Sequence, residues 1–107
     1  MFFLYNITYN IEEQIHDQWL QWVQEHHIPD VLKNTPFVGA KLIKVLMDEE
    51  MGGVTYSIQY QAANRAMLDL FLYESKYNIF GDMLKMFPNQ FVSFSTELEM
   101  VQEFVKE

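Results

Sequence analysis

The stretch Val54 to Gln61 reads VTYSIQYQ, and apolar and polar residues alternate along it without interruption. Successive side chains of an extended chain point to opposite faces, so this period of two predicts a strand with one apolar and one polar face. The apolar side carries Val54, Tyr56, Ile58 and Tyr60, and the polar side carries Thr55, Ser57, Gln59 and Gln61.

The residues before this strand predict a hairpin. Asp48 to Gly53 is acidic and ends in two glycines, a composition typical of a turn. Phe37 to Met47 is rich in Val, Ile and Leu and predicts the partner strand, in which Gly39 indicates a bulge or a close approach. Its alternation is too mixed to assign its residues to one face or the other.

Two further alternating stretches predict the outer strands. In Met1 to Ile11 the aromatic and branched residues share one side: Phe3, Tyr5, Ile7, Tyr9 and Ile11, against Phe2, Leu4, Asn6, Thr8 and Asn10. In Gln90 to Val101 the more apolar side is Val92, Phe94, Thr96, Leu98 and Met100, against Phe91, Ser93, Ser95, Glu97 and Glu99. We expect the apolar sides to face a core.

Helical periodicity fills the two gaps. Glu12 to His27 predicts a first helix, with Trp19 and Trp22 as core residues, that ends before Pro29. Asn64 to Met86 predicts a second helix, with Asn64 as N-cap and Pro88 beyond its end. Its core stripe is Leu68, Phe71, Leu72, Ile79, Met83 and Met86, and a second apolar stripe is Leu70, Tyr73, Tyr77, Phe80 and Leu84.

The order β-α-β-β-α-β predicts a ferredoxin-like α+β fold, in which a four-stranded antiparallel sheet carries both helices on one face. The 107 residues, half of them hydrophobic, predict a single domain that spans the whole chain, residues 1–107. The other sheet face is then expected to be polar and to carry Asn6, Thr8, Asn10, Thr55, Ser57, Gln59, Ser93 and Ser95.

A polar sheet face permits two interpretations. An antiparallel sheet often leaves one face in water, and the polar residues then need no further explanation. Alternatively, two such faces close on each other in a homodimer and line a cavity for a ligand. The second apolar stripe of the second helix favours an oligomer, because a helix that is apolar on two sides usually has two neighbours.

Composition excludes several classes of partner. The net charge of -8 and the scattered basic residues argue against nucleic acid and against anionic membranes. The absence of cysteine excludes disulfides, thiolate metal sites and a cysteine nucleophile. The apolar N-terminus is too short for a membrane span and lacks a signal-peptide pattern, so we expect a cytoplasmic protein.

Several motifs together resemble one bacterial family of unknown function that is typical of Bacteroidetes. They are Tyr5-Asn6-Ile7-Thr8, the stretch from His16 through Trp19 to His26-His27-Ile28-Pro29, Glu50 to Ser57, and Phe91-Val92-Ser93-Phe94 with Thr96 and Glu97. The family is similar to the dimeric α/β barrel superfamily, which includes antibiotic-biosynthesis and haem-degrading monooxygenases. The resemblance covers nearly the whole chain and implies a ferredoxin-like protomer whose sheet packs on that of its twin.

Three residues are candidates for chemistry. His26 and His27 are adjacent and point about 100° apart on a helix, so they cannot share a metal, and we expect no metal site. Either one is a general base at a cavity rim or a hydrogen-bonded residue at a helix end. Asn6 resembles in position the first-strand Asn of haem-degrading barrel proteins, but Asn64 to Phe87 lacks the His and Trp that those proteins need, so we expect no cofactor.

Three hypotheses of function remain open at this point, and the sequence does not decide whether the protein is an enzyme. The first is a homodimeric barrel that binds a small, aromatic or amphipathic molecule at the polar sheet face. The second is a non-catalytic protein-interaction or regulatory module. The third is a cofactor-free monooxygenase that uses Asn6, Trp19 or Trp22, and His26 around an aromatic substrate.

Overall fold

Four antiparallel strands form the sheet of the computed structural model, which describes residues 2–46 and 52–107. In chain order the strands are β1 (Phe3–Ile11), β2 (Gly39–Val45), β3 (Val54–Ala62) and β4 (Phe91–Glu99). Their spatial order is β2-β3-β1-β4, and every neighbouring pair is antiparallel. This order confirms the ferredoxin-like α+β fold and the hairpin of β2 and β3.

The predicted turn of that hairpin lies mostly outside the described residues, and only its two glycines are seen. Gly52 and Gly53 have φ of 71° and 75°, the left-handed region in which a side chain is unfavourable. A Cβ atom on Gly53 would lie 2.6 Å from Oδ1 of Asn10. Glycine is therefore required where the hairpin passes the end of β1.

The first helical run is longer than predicted. A short 3₁₀ turn (Glu13–Ile15) leads into α1 (His16–Trp22), a π-helical turn (Val23–His27) and α2 (Ile28–Asn34). The predicted end before Pro29 is wrong. The wider π turn moves the preceding carbonyls away from the proline ring, and Pro29 then lies in the first turn of α2, where a missing N–H costs little.

The second helical run is interrupted, contrary to prediction. It comprises α3 (Arg65–Asp69), a π-helical turn (Leu70–Glu74) and, after a non-helical stretch, α4 (Gly81–Met86). The predicted N-cap is confirmed, since Oδ1 of Asn64 accepts a hydrogen bond from Met67 N–H at 2.9 Å. In the interruption, side-chain oxygens of Ser75 and Asn78 accept N–H groups of Tyr77 and Phe80, and these local bonds compete with the helix.

The core lies between the helices and the central strands β1 and β3. Trp19 is fully buried, and its ring packs against Tyr9 and Tyr56, with ring centroids 5.7 Å and 5.3 Å apart. Phe71 packs in the same way on Tyr5. The predicted inner faces of these two strands and most of the core stripe of the second helix are confirmed; the fully or nearly fully buried residues there include Ile7, Ile11, Ile58, Tyr60, Leu68, Ile79 and Met83.

The face assigned to β4 from sequence is wrong. The pairing with β1 sets Phe94 opposite Thr8 and Ser95 opposite Ile7, and directly paired residues share a face. The apolar side of β4 therefore lies on the face away from the helices, and Ser93 and Ser95 lie on the helix face. Because β4 is an edge strand beyond the reach of the helices, Ser93 and Ser95 remain exposed there.

Two helix residues also differ from prediction. Met86 was assigned to the core stripe but is exposed on α4, beyond the interruption that changes the phase of the helix. Leu70, Tyr73 and Leu84 of the second apolar stripe are exposed. In the part of the chain that the structure describes, no helix is long and apolar enough to cross a membrane.

Candidate functional site

The face of the sheet that carries no helix has a hydrogen-bonded polar centre. Nδ2 of Asn6 donates to Oγ1 of Thr8 at 3.3 Å, and the hydroxyl of Thr8 lies 3.4 Å from that of Ser57 on β3. One pair further along, Nδ2 of Asn10 donates to Oγ1 of Thr55 at 3.1 Å. The strand pairing places all five side chains on the two central strands of this open face.

Asn6 retains an unused acceptor at this centre. Its Oδ1 atom is buried and has no hydrogen-bond partner within the chain. Buried polar atoms are nearly always paired, and an unpaired carbonyl oxygen costs about 1–3 kcal/mol. The open face therefore offers one acceptor to a donor from outside the protomer.

Apolar side chains border the polar centre on both sides. On β4 the exposed fraction is 69% for Val92, 63% for Phe94 and 37% for Leu98. On β2 the partly exposed Ile43 lies opposite Ser57. A polar centre with an apolar border suits a face that is covered, since the border excludes water while the centre contacts what is enclosed.

Six of the eight predicted ligand-binding residues share this face. Their positions follow from the register of β1 and β3: Asn6, Thr8, Asn10, Thr55, Ser57 and Gln59. The other two, Ser93 and Ser95, lie on the opposite face for the reason given above, and Phe94 and Thr96 take the places expected of them. Register with β1, which a single strand sequence does not contain, was the missing information.

The residues of β2 on the open face were also missing from the prediction. Pairing with β3 places Lys41 beside Gln59 and Val45 beside Thr55, so one cation borders the polar centre. The mixed composition of this strand gave no phase on its own. The hairpin register to the cleanly alternating β3 is the signal that assigns its faces.

The histidines lie on the other side of the sheet from Asn6. His26 and His27 belong to the π-helical turn after α1, and α1 packs through Trp19 on the inner faces of β1 and β3. His26 is exposed and His27 is 3% exposed. The cluster of Asn6, a tryptophan and His26 that a cofactor-free monooxygenase would use is therefore not formed within a protomer.

His27 nevertheless has an unusual environment. Its ring stacks on Trp22 at a centroid distance of 4.9 Å, and its Nε2 atom is buried without a partner. Burial lowers the pKa of His27 to about 4, and nearby Asp82 and Asp30 oppose this only in part. His27 is therefore neutral at physiological pH. Among residues 2–46 and 52–107, no group of three His, Asp or Glu side chains is placed to hold a metal ion.

The sheet order, the helices on one face and the free second face define a ferredoxin-like α+β protein. The chain belongs to the family described as a domain of unknown function, DUF4286, whose model matches residues 2–101. No curated protein matches the chain significantly in sequence.

Solved structures with the same fold have little sequence identity with the chain. A dimeric ferredoxin-like protein from an uncultured marine organism has a TM-score of 0.67 at 12% identity, over 96% of this chain and 98% of that one. A putative antibiotic biosynthesis monooxygenase from Bacillus cereus has a TM-score of 0.66 at 8% identity, over 100% and 98%. The heme-degrader MhuD from Mycobacterium tuberculosis, solved with two hemes in its active site, has a TM-score of 0.63 at 11% identity, over 96% and 99%.

The residues of this chain do not fit a haem on the open face. The chain has three histidines, and all lie between His16 and His27 in the run that packs on the inner side of the sheet. No imidazole from the same protomer can therefore reach an iron above Asn6. The similarity to the heme-degrader is a similarity of fold.

Proposed function

We propose that the protein is a homodimer whose two open sheet faces close into a barrel and bind a small, aromatic molecule between them. The observation that carries this proposal is the buried, unpartnered Oδ1 of Asn6 at the centre of the open face. The apolar border of Val92, Phe94 and Leu98 supports coverage by a second copy. The description of a similarly folded protein as dimeric supports the same arrangement.

The chemistry of the enclosed face favours an aromatic ligand with a hydroxyl or N–H group. The ring of Phe94 and the branched side chains beside it provide an apolar contact surface for a planar body. The Asn6 oxygen accepts a hydrogen bond from the ligand and would fix its orientation. We place the protein in the cytoplasm, in keeping with its lack of cysteine.

Adjacent residues on β4 give a matched test of the dimer. Thr96 points to the open face and Ser95 to the helix face, and both are exposed in the protomer. Because the chain has no cysteine, Thr96→Cys and Ser95→Cys each introduce a single thiol. We expect a thiol reagent to label the Ser95→Cys variant at the rate seen in denaturant and the Thr96→Cys variant much more slowly. Equal rates, together with a monomer mass in sedimentation, would refute the dimer.

A pair of probes tests the role of Asn6. Naphthol can donate a hydrogen bond to Oδ1 of Asn6, and methoxynaphthalene, of similar shape, cannot. We expect naphthol to bind about fivefold to tenfold more tightly, as one buried hydrogen bond allows. Asn6→Leu should abolish this difference, whereas Gln24→Ala, on an exposed helix position, should preserve it. Equal binding of both probes to the native protein would exclude Asn6 as the ligand's acceptor.

The two other hypotheses make different predictions in these experiments. A protein-interaction module would remain monomeric and leave the Thr96→Cys variant open to labelling until its partner is added. A cofactor-free monooxygenase would need a catalytic group beside Asn6, and the histidines and tryptophans of the same protomer lie across the sheet. The open face therefore supports binding better than oxygenation.

A further inference from the structure

A second cavity lies on the helical side of the molecule, between the π-helical turn with α2 and the short helix α4. Its volume is about 430 Å³, within the range typical of small-molecule sites. It lies across the sheet from the open face and shares no residue with it. Its walls are formed by Trp22, His26, His27, Asp30, Asp82, Lys85 and Met86.

The floor of this cavity contains an incompletely paired polar group. His27 is 3% exposed, its Nε2 atom has no hydrogen-bond partner, and its ring is held flat against Trp22 at an interplanar angle of 25°. Trp22 is fixed in turn by an edge contact with Phe87, at 5.7 Å between centroids. A neutral imidazole that is buried, rigid and unpaired is costly for stability unless something else bonds to it.

The rim of the cavity carries an excess of negative charge. Asp30 and Asp82 lie opposite a single ammonium group, that of Lys85. The Asp30 carboxylate is held in place, since Oδ2 accepts a hydrogen bond from the Tyr77 hydroxyl at 2.9 Å and Oδ1 accepts one from Nδ2 of Asn34 at 3.1 Å. Both carboxylates also lie close enough to His27 to act on its charge. The cavity therefore favours a cation over an anion.

The aromatic wall strengthens this preference. Trp22 presents the best side chain for a cation–π contact, and Met86 provides an adaptable apolar surface next to it. The adjacent π-helical turn Val23–His27 is of a kind found frequently at functional sites, and it is what brings His26 and His27 to the cavity.

We propose that this cavity binds a small aromatic amine in its protonated form. The ammonium group lies between Asp30 and Asp82, the ring packs on Trp22 and Met86, and a polar group of the ligand bonds with His27. This site is independent of the proposed function of the open face, because the two lie on opposite sides of the sheet.

Two small probes test the charge preference. Phenethylamine is an arylalkyl cation, and phenylacetate is an anion of similar size and shape. We expect phenethylamine to shift the indole N–H signal of Trp22 in a saturable NMR titration. The indole of Trp19 is buried against Met83 and should move little, which makes it an internal control. Phenylacetate should bind at least about tenfold more weakly, a difference of about 1.4 kcal/mol.

Substitutions locate the binding site within the fold. Asp82→Asn removes one rim charge at an exposed position, so the fold is preserved, and should weaken phenethylamine binding about tenfold, or about 1.4 kcal/mol. Asp17→Asn removes the same charge from an exposed position outside the cavity and should leave binding unchanged. His27→Phe keeps the ring stack but removes both nitrogens, and should also weaken binding.

Each outcome of these titrations decides the proposal. Equal affinity for the cation and the anion would overturn the role of Asp30 and Asp82. Loss of binding in Asp17→Asn as large as in Asp82→Asn would attribute it to overall charge. The absence of any saturable shift of Trp22 would overturn the site itself, whatever the result for the open face.

Discussion

At the scale of single residues, two buried polar atoms lack partners on opposite sides of the sheet. Oδ1 of Asn6 faces the open surface, and Nε2 of His27 faces the helical cavity. The sequence identified both residues as candidates but assigned them to one site. Residue type and spacing indicate where polar groups occur along a chain, whereas the side of a sheet on which a helix packs depends on tertiary contacts.

We expect acid to destabilise the fold through His27. In the folded protein burial lowers its pKa to about 4, whereas the unfolded chain has the ordinary value of 6.5. As the pH falls below 6.5, the unfolded chain binds a proton that the folded protein does not bind until about pH 4. The free energy of unfolding should therefore decrease through this window, by on the order of 3 kcal/mol, and should not change through His27 above it.

Urea denaturation at a series of pH values measures this effect. His27→Phe removes the titrating group, so its stability should depend less on pH between 6.5 and 4 than that of the native protein. The charged groups that border the same cavity, Asp30, Asp82, Lys85 and His26, remain in both proteins and cancel in the comparison. Parallel stability curves for the two proteins would show that His27 is not protected from protonation.

At the scale of secondary structure, the period of each strand was easier to predict than its orientation. The alternation in β1 and β3 placed every buried residue on the correct side. In β4 the alternation was equally clear, and the opposite face was assigned. A row of apolar residues indicates that one side avoids water, but it does not distinguish cover by helices from cover by another surface. Helix ends failed for a different reason: Pro29 was tolerated, and Ser75 and Asn78 formed local bonds.

The start of α3 provides a test at this scale. Asn64 caps the helix through Met67 N–H, and Asn64→Ala should lower the free energy of unfolding by about 1 kcal/mol. Asn64→Asp keeps an oxygen acceptor and should have stability close to that of the native protein. Chemical denaturation of the three proteins measures both values. Equal losses in the two variants would show that the cap contributes nothing specific.

At the scale of the whole molecule, two apolar surfaces are available to a partner. One is the border of the open face on β4, and the other is the exposed part of the second helical run. The sequence predicted that the protein associates but named no surface. The choice depends on how β4 is phased and where the second helix breaks, and both features arise from packing rather than from local composition.

A matched pair of variants distinguishes the surfaces. Phe94 is 63% exposed on β4 and Leu84 is 54% exposed on α4, so each can be replaced without disturbing the core. We expect Phe94→Ser to weaken the dimer at least about tenfold, because it removes an aromatic anchor from the interface. Leu84→Ser should leave the dimer intact. Sedimentation across a range of concentrations measures both, and the reverse pattern would move the interface to the helices.

Both helical runs contain a π turn, Val23–His27 in one and Leu70–Glu74 in the other, and this has a consequence for engineering. A π turn contains one residue more than an α turn, so removing a residue there restores an ordinary helix. The helix beyond the deletion would then rotate by about 100° relative to the sheet. Deleting Gln24 should therefore turn Val31 out of the core, and length-changing libraries of this fold are best confined to the segments outside these turns.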